Sequence, residues 1–267
     1  MSIPPEVNRI QSFLRGSAHR QYLAEAVPPF TLFFHPADTN PYFNYAIPNH
    51  PLVFGDFEPA QILQALRQLQ SKYQQRDLIP RFEFFERYAP ALPDLLTTCG
   101  FQLESRNWSM LCPAGELQPA VVVPDLDIVR LDGSSPDADL IDFITAQRQG
   151  FDPENLELPS PQAIQNSRRD LGEGGWTAYL GRVAGEPAGV AVFSRPLDGV
   201  SEVAGVATRT AFRRRGIASC LTYHCTAEAF ACGAQTACLT AADERAGRVY
   251  ERLGYRALSE MVSYRSE

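Results

Sequence analysis

Apolar positions along the chain switch between a period near two and a period near 3.6, and the switches outline a mixed α/β protein. Residues 1–29 read as a helical lead-in that ends at Pro28-Pro29. Phe30-Thr-Leu-Phe-Phe34 is a short apolar run of strand type, and Arg81-Phe-Glu-Phe-Phe-Glu86 alternates as a half-buried strand does. Between them lies Pro, Asn and Asp punctuation over Pro36–Pro51, around Tyr42-Phe-Asn-Tyr-Ala46. Ile62, Leu63, Ala65, Leu66 and Leu69 then recur at helical spacing and predict an amphipathic helix over 58–75. Leu92–Cys99 reads as a short helix closed by Gly100, followed by a long strand over Phe101–Cys112. Pro113, Gly115, Pro119 and Pro124 interrupt the pattern around Ala120-Val-Val-Val123, which marks a linker or a crossing strand.

Regular structure restarts at Asp127–Leu131, with helices expected over 136–149 and 161–172. Trp176–Leu180, Ala188–Phe193 and Val200–Thr208 read as three antiparallel strands. A long helix over 215–232 follows, with Ile217, Cys220, Leu221, His224, Ala227 and Ala231 as its apolar face and Gly233 as its stop. Thr236–Thr240 is a buried strand, 243–253 a helix closed by Gly254, and Tyr255–Tyr264 the last strand. Gly100-Phe101 and Gly254-Tyr255 stand 154 positions apart in the same context of short helix, glycine, aromatic and long strand. That echo is read as two diverged copies of one α/β unit, a first domain over 1–119 and a second over 120–267. The alternative is coincidence, since the local arrangement is a common one.

Composition narrows the class. The 267 residues are 45% hydrophobic and 21% charged, values of an ordinary globular chain with a real core. The net charge of −7 lacks the basic footprint of a nucleic-acid binder, and the partners expected are neutral or cationic. No apolar run approaches the roughly 18 residues of a membrane span, and no hydrophobic leader opens the chain, so a cytoplasmic protein is expected. Six cysteines show no CxxC spacing and no paired framework, which predicts reduced, mostly buried thiols and no metal.

Chemistry concentrates in Val206-Ala-Thr-Arg-Thr-Ala-Phe-Arg-Arg-Arg-Gly-Ile-Ala218. A strand runs into a turn, three arginines and a glycine, and a helix opens. A helix start carries about four backbone N–H groups without helical partners, and with the macrodipole they hold anions. Gly216 and Ala218 remove bulk, and Arg213, Arg214 and Arg215 add charge and forked donors, so the segment reads as a pyrophosphate cradle. A solvated basic run is the plainer alternative.

Arg213-Arg-Arg-Gly-Ile-Ala218 is similar to the [QR]-x-x-G-x-[GA] acyl-CoA loop of the GNAT superfamily of N-acyltransferases. Asp243-x-x-Ala246-x-x-Val249-Tyr250-x-x-x-Gly254-Tyr255 resembles that family's N-x-x-A-x-x-L-Y-x-x-x-G-F, departing from it at Asp243. The resemblance covers roughly residues 126–267. It implies a mostly antiparallel GNAT-like sheet flanked by helices, a tandem arrangement of two copies side by side, and a degenerate N-terminal half. It further implies acetyl-CoA or another acyl-CoA as co-substrate, bound by the strand edge Val206, Ala207 and Thr208. N–H groups from Arg214 through Gly216, Ile217 and Ala218 to Ser219 would hold the pyrophosphate, in a slot opened by a bulge near Gly205. Arg213, Arg215 and Asp243 are counted with the same site, and Tyr250 matches the tyrosine that protonates the departing thiolate.

An acceptor amine of pKa about 10.4 is only about 0.04% neutral at pH 7, so a base is needed. Glu202, on the strand leading to Gly205, is the candidate, with an edge glutamate as the alternative. A backbone N–H near Val206 is placed to polarise the thioester carbonyl. His224 reads as a core histidine within reach of Glu228, and Asp152 and Glu154 as either acceptor contacts or a solvated loop. In the first half no RxxGxA appears near Asp56–Leu63, and Leu96 stands where Tyr250 stands in the second. Tyr42, Phe43, Asn44 and Tyr45 form either a wall of the acceptor site or a plain core cluster. The functional expectation is an N-acetyltransferase acting on a small-molecule or protein amine, as a monomer or homodimer. A non-catalytic CoA-binding sensor or scaffold is the alternative, and an RNA-associated protein a third.

Overall fold

The computed structural model describes residues 3–266, in two units: the chain up to Ser109 joined by residues from Ala257 onward, and Met110–Arg256. The first unit contains α1 (Pro5–Gln21), β1 (Leu23–Val27), β2 (Phe30–Phe34), β3 (Tyr45–Pro48), α2 (Pro59–Gln74), β4 (Arg81–Phe85), α3 (Leu92–Thr98) and the larger part of β5 (Gln102–Pro113). The second contains the end of β5, then β6 (Leu126–Leu131), α4 (Asp137–Phe151), α5 (Pro161–Gly172), β7 (Trp176–Val183), β8 (Glu186–Ser194), β9 (Val200–Thr208), α6 (Ile217–Ala231), β10 (Thr236–Ala241) and α7 (Glu244–Glu251). The last strand, β11 (Arg256–Arg265), lies almost wholly in the first unit.

Each unit is a mixed, mostly antiparallel sheet flanked by helices. Strand order in the first is β1-β2-β3-β4-β11-β5, with β3 and β4 parallel across α2. In the second it is β5-β10-β9-β8-β7-β6, with β9 and β10 parallel across α6 and β6 to β9 antiparallel. The duplicated plan is visible at the helix ends as well. Phe101 N donates to Leu96 O at 3.0 Å and Tyr255 N to Tyr250 O at 3.1 Å, two carbonyls 154 positions apart.

The units differ from a division at 119/120. Met261–Arg265 pair in antiparallel register with Phe85–Arg81, so the closing strand belongs with β4. Alternation defines a strand from sequence but does not name its partner. Residues 114–125 form no strand and stay inside the second unit, where Gln118 N donates to Leu253 O at 3.0 Å. The helical lead-in ends at Gln21, and Leu23–Val27 is an edge strand paired with β2; Met1 and Ser2 lie outside the described residues.

In the second unit one core packs α6 against Ala188, Ala191, Phe193 and Val203, and a second packs α4 and α5 against Ala178, Leu180 and Val190 on the other face of the sheet. The buried stripe of α6 is Ile217, Leu221, Thr222, Cys225, Thr226 and Ala229, rotated from the expected one. Thr226 accounts for part of the rotation: its Oγ1 is satisfied on Thr222 O at 2.8 Å and the Tyr255 hydroxyl at 2.6 Å, so a polar residue lies inward. All six cysteines are free thiols, three of them buried. No helix among the described residues is long and apolar enough to cross a membrane.

Candidate active site

The site begins where two parallel strands part. Residues Val200–Glu202 of β9 pair with Thr236–Cys238 of β10, and the pairing stops there although β9 continues to Thr208 and β10 to Ala241. The β10-facing edge of Val206–Thr208 therefore has no strand partner among the described residues. Its other edge stays on β8, with a break in register: Val190 faces Ala207, but Val192 faces Ala204. One extra β9 residue is accommodated at Gly205, which takes φ +59°, as the sequence led us to expect. Such bulges add local twist and turn the strand end away from its neighbour.

α4 presses on this bulged segment. A Cβ on Gly205 would stand 3.1 Å from Gln147 Nε2, and one on Gly150 would stand 2.7 Å from Ala207 Cβ and 3.1 Å from Thr208 N. Arg213 ties the same two elements, donating from Nε to Thr208 O at 3.1 Å and from Nη2 to Gly150 O at 2.9 Å.

After β9 a turn over Thr210–Phe212 buries the Phe212 ring, with the Arg209 and Arg215 guanidiniums 5.6 and 5.5 Å from its centre. Arg214 and Gly216 both adopt left-handed backbone, φ +63° and +87°. The first helical hydrogen bond of α6 runs from Cys220 N to Gly216 O at 3.0 Å. Four N–H groups, those of Gly216, Ile217, Ala218 and Ser219, are thus left over by helix geometry. No side chain caps this end, and its first turn holds no acidic residue.

These parts line one cleft of about 800 Å³. Its walls are Val206, Ala207 and Thr208 of β9, Arg213, Arg214 and Gly216 of the loop, Ile217, Ala218 and Ser219 of α6, Asp243 at the N-cap of α7 and Tyr250 within it. Eleven residues singled out from the sequence are therefore brought together. Arg215 is not, because its guanidinium turns back over Phe212. Glu202 does not line the cleft either; it stands opposite Val203 on the strand, on the face that α4 covers.

Asp243 caps α7, its Oδ1 accepting from Ala246 N at 2.7 Å, a role that aspartate fills as well as asparagine. Tyr250 is buried, and burial first, the nearby Asp243 carboxylate second, push its hydroxyl pKa up to about 12. It stays protonated at neutral pH. His224 packs against the Tyr179 and Tyr223 rings, while Glu228 binds Arg130 at 2.7 Å and the Tyr179 hydroxyl rather than the histidine. Asp152 Oδ1 accepts from Glu154 N at 3.2 Å in an exposed loop. In the first unit Tyr42 is exposed under the Arg81 guanidinium, and Asn44 is buried with its amide donating to Asp38 O and Asn40 O, both at 2.8 Å. Among the described residues no group of three or more His, Cys, Asp or Glu is placed to hold a metal.

Sequence reasoning missed Gln147 and Gly150, which a folded α4 alone brings to β9, and Arg245 and Arg252, which also line the cleft. Of the last two, Arg245 stands in the first turn of α7 and Arg252, seven positions on, is its C-cap.

The Acetyltransferase (GNAT) family model matches residues 141–255. No curated protein matches the chain. Among solved structures, the chain is similar to a GCN5-related N-acetyltransferase from Kribbella flavida, with TM-score 0.78 and 24% identity over 97% of this chain and 95% of that one. It is similar to a GCN5-related N-acetyltransferase from Sphaerobacter thermophilus, with TM-score 0.62 and 17% identity over 90% and 76% of the two chains. It also shares its fold with a tandem GNAT protein from the clavulanic acid biosynthesis pathway, with TM-score 0.60 and 14% identity over 100% and 89%. With its parted strands, bulge and open helix start, the second unit carries a domain of the acetyltransferase (GNAT) family in residues 141–255.

Proposed function

We propose that the chain is an acyl-CoA-dependent N-acyltransferase, an N-acetyltransferase in its first instance. It passes the acyl group to a primary amine of a small molecule or protein by direct attack in a ternary complex. The observation that carries this reading is the uncapped start of α6, which opens into the same cleft as the unpaired edge of β9 and the buried hydroxyl of Tyr250. The residues fit a CoA thioester. Four backbone N–H groups and Arg214 suit a diphosphate, and a free strand edge suits a chain of amides lying alongside.

Acyl-CoA, when bound, supplies an activated acyl carbon and a thiolate leaving group. The α6 amides and the arginine loop hold the diphosphate, and Val206–Thr208 align the arm by main-chain hydrogen bonds. The bulge at Gly205 aims a Val206 N–H at the developing oxyanion. Tyr250, a phenol with its pKa at about 12, delivers a proton to the departing sulfur. Glu202, on the α4 side of β9, takes the amine proton through a bridging water.

Thiol release from acetyl-CoA with a panel of amines tests the reading. Tyr250→Phe keeps the ring and removes the hydroxyl, so kcat should fall about a hundredfold while the Kd for CoA holds within about threefold. Binding of CoA by calorimetry without turnover on any amine would return the sensor or scaffold reading. No CoA binding at all would overturn both.

A further inference from the structure

The fork between β9 and β10 ends in a tight corner. The strands are joined at Glu202 and Cys238, and β9 lines the cleft only from Val206 onward. Val203, Ala204 and Gly205 are all that separates the closed end of the fork from the first cleft residue. On the α6 face this corner is filled, because Val203 and Leu239 are buried in the core there. On the α4 face it is bounded by Gln147. The place that a Cβ on Gly205 would take is 3.1 Å from Gln147 Nε2 and 3.5 Å from Val192 Cγ2. Non-bonded carbon keeps about 3.5–4.0 Å from its neighbours, so no further carbon fits beside Gly205 while the amide of Gln147 stays in place.

Gln147 cannot draw back with its helix. The end of α4 is fixed to β9 and the loop after it at three points. An added Cβ on Gly150 would stand 2.7 Å from Ala207 Cβ, Gly150 O accepts from Arg213 Nη2 at 2.9 Å, and Gln149 Oε1 accepts from Arg209 Nε at 2.7 Å. Residues three apart share a helix face, so the contact that pins Gly150 also turns Gln147 toward β9. Only the torsions of its own side chain can yield, which makes the barrier a soft one. Resting on the reading that the cleft takes an acyl-CoA with its carbonyl at Val206, we infer that Gln147 closes the acyl end of the cleft and restricts the donor to short acyl groups, acetyl before butyryl. A carbonyl held at Val206 leaves only the level of Gly205 for the carbons behind it, and there a longer chain meets the Gln147 amide or the closed fork. One methylene too many in a packed pocket costs about 10- to 200-fold in discrimination, and a flexible glutamine puts this site at the low end of that range.

Calorimetric Kd values for free CoA, acetyl-CoA and butyryl-CoA on the full chain test the inference, with each acyl form referred to free CoA so that the diphosphate contacts cancel. The wild type should bind butyryl-CoA about tenfold more weakly than acetyl-CoA. Gln147→Ala, a substitution that suits a helix, should bring that ratio to about threefold or less. Gln147→Met, an unbranched side chain of similar length, should keep it. Equal affinity of the wild type for acetyl-CoA and butyryl-CoA would overturn the inference and leave the acyl-CoA reading standing. An unchanged ratio in Gln147→Ala would overturn it too, and so would a ratio that collapses in Gln147→Met as far as in Gln147→Ala. If none of the three ligands binds the wild type, the acyl-CoA reading itself falls and takes the inference with it.

Discussion

Gly150→Ala sets two effects of comparable size against each other. Gly150 lies inside α4, where alanine is the better helix former by about 1 kcal/mol, so propensity alone predicts a more stable protein. The added Cβ, however, would stand 2.7 Å from Ala207 Cβ and 3.1 Å from Thr208 N. Ordinary carbon contacts are about 3.5–4.0 Å, so about 1 Å is missing. Neither opposing atom is the tip of a flexible side chain; both move only if β9 moves. Overpacking of this kind costs about 1–3 kcal/mol, which exceeds the helix gain. A net loss of about 1 kcal/mol follows, and β9 is displaced at Ala207–Thr208, where we place the acyl-CoA arm. Thermal melts with and without acetyl-CoA read both consequences. The ligand-free Tm should fall by about 3 °C. At a ligand concentration 100 times the wild-type Kd, binding adds about 2.7 kcal/mol to the wild type, and a tenfold weaker Kd would cut that to about 1.4 kcal/mol. A variant that melts higher than wild type and keeps the full ligand shift would show that Gly150 is not the spacer between α4 and β9.

Two further predictions concern α7. Between pH 10 and 12 the unfolded chain gives up the Tyr250 proton that the folded protein keeps, so this tyrosine stabilises the fold below pH 10.0 and that contribution, about 2–3 kcal/mol, is lost as pH rises through about 12. Urea unfolding of wild type and Tyr250→Phe across that window should show a steeper alkaline loss in the wild type, and parallel curves would contradict the burial argument. Asp243→Asn should leave stability within a few tenths of a kcal/mol, whereas Asp243→Ala should cost about 1 kcal/mol through the lost cap. Both should lower the Tyr250 midpoint in an ultraviolet titration, because both remove the carboxylate that helps raise it.

What could be read from the sequence was what local chemistry decides. The bulge at Gly205 and the helix start at Gly216 follow from backbone freedom and lost bulk, and both stand where expected. The strands at Phe30–Phe34 and Val200–Thr208 match their apolar runs to the residue. Partnership was readable only between neighbours in sequence, as in the antiparallel β7, β8 and β9. Nothing in Tyr255–Tyr264 says that its neighbour is β4, and β1 and β3 are too short or too exposed to show alternation; Leu23 is 63% exposed. The inward face of α6 differs from the expected one because Thr226 satisfies its hydroxyl in hydrogen bonds that only the folded chain supplies, while Thr222 is buried with its hydroxyl unpartnered. Gln147 and Gly150 had no motif at all, since their part in the site depends on one helix lying across one strand.

The two units share a plan, and the point at which they diverge bears on why only one carries the cleft residues. In each, a strand leads through a loop into a helix that crosses to a parallel neighbour: β3 to α2 to β4, and β9 to α6 to β10. At α6 the chain leaves four N–H groups beyond the helix, arginines before them and no carboxylate in the first turn. At α2 the same position is chemically reversed. Pro59 opens the helix and has no N–H to give, and Gln61 N is already bonded to Glu58 O at 3.0 Å. Asp56 and Glu58 stand exposed just ahead, two negative charges where the other unit has three positive ones. A diphosphate brought there would meet repulsion and half the donors. Downstream, the fully buried Leu96 stands where Tyr250 stands in the other unit, so the proton source we propose has no counterpart there. Donors, charge and acid are all lost while the strand–helix–strand frame and its glycine-ended α3 persist. That pattern is expected of a copy held for its fold after its chemistry has gone, because frame positions are constrained by packing and site positions only by a ligand.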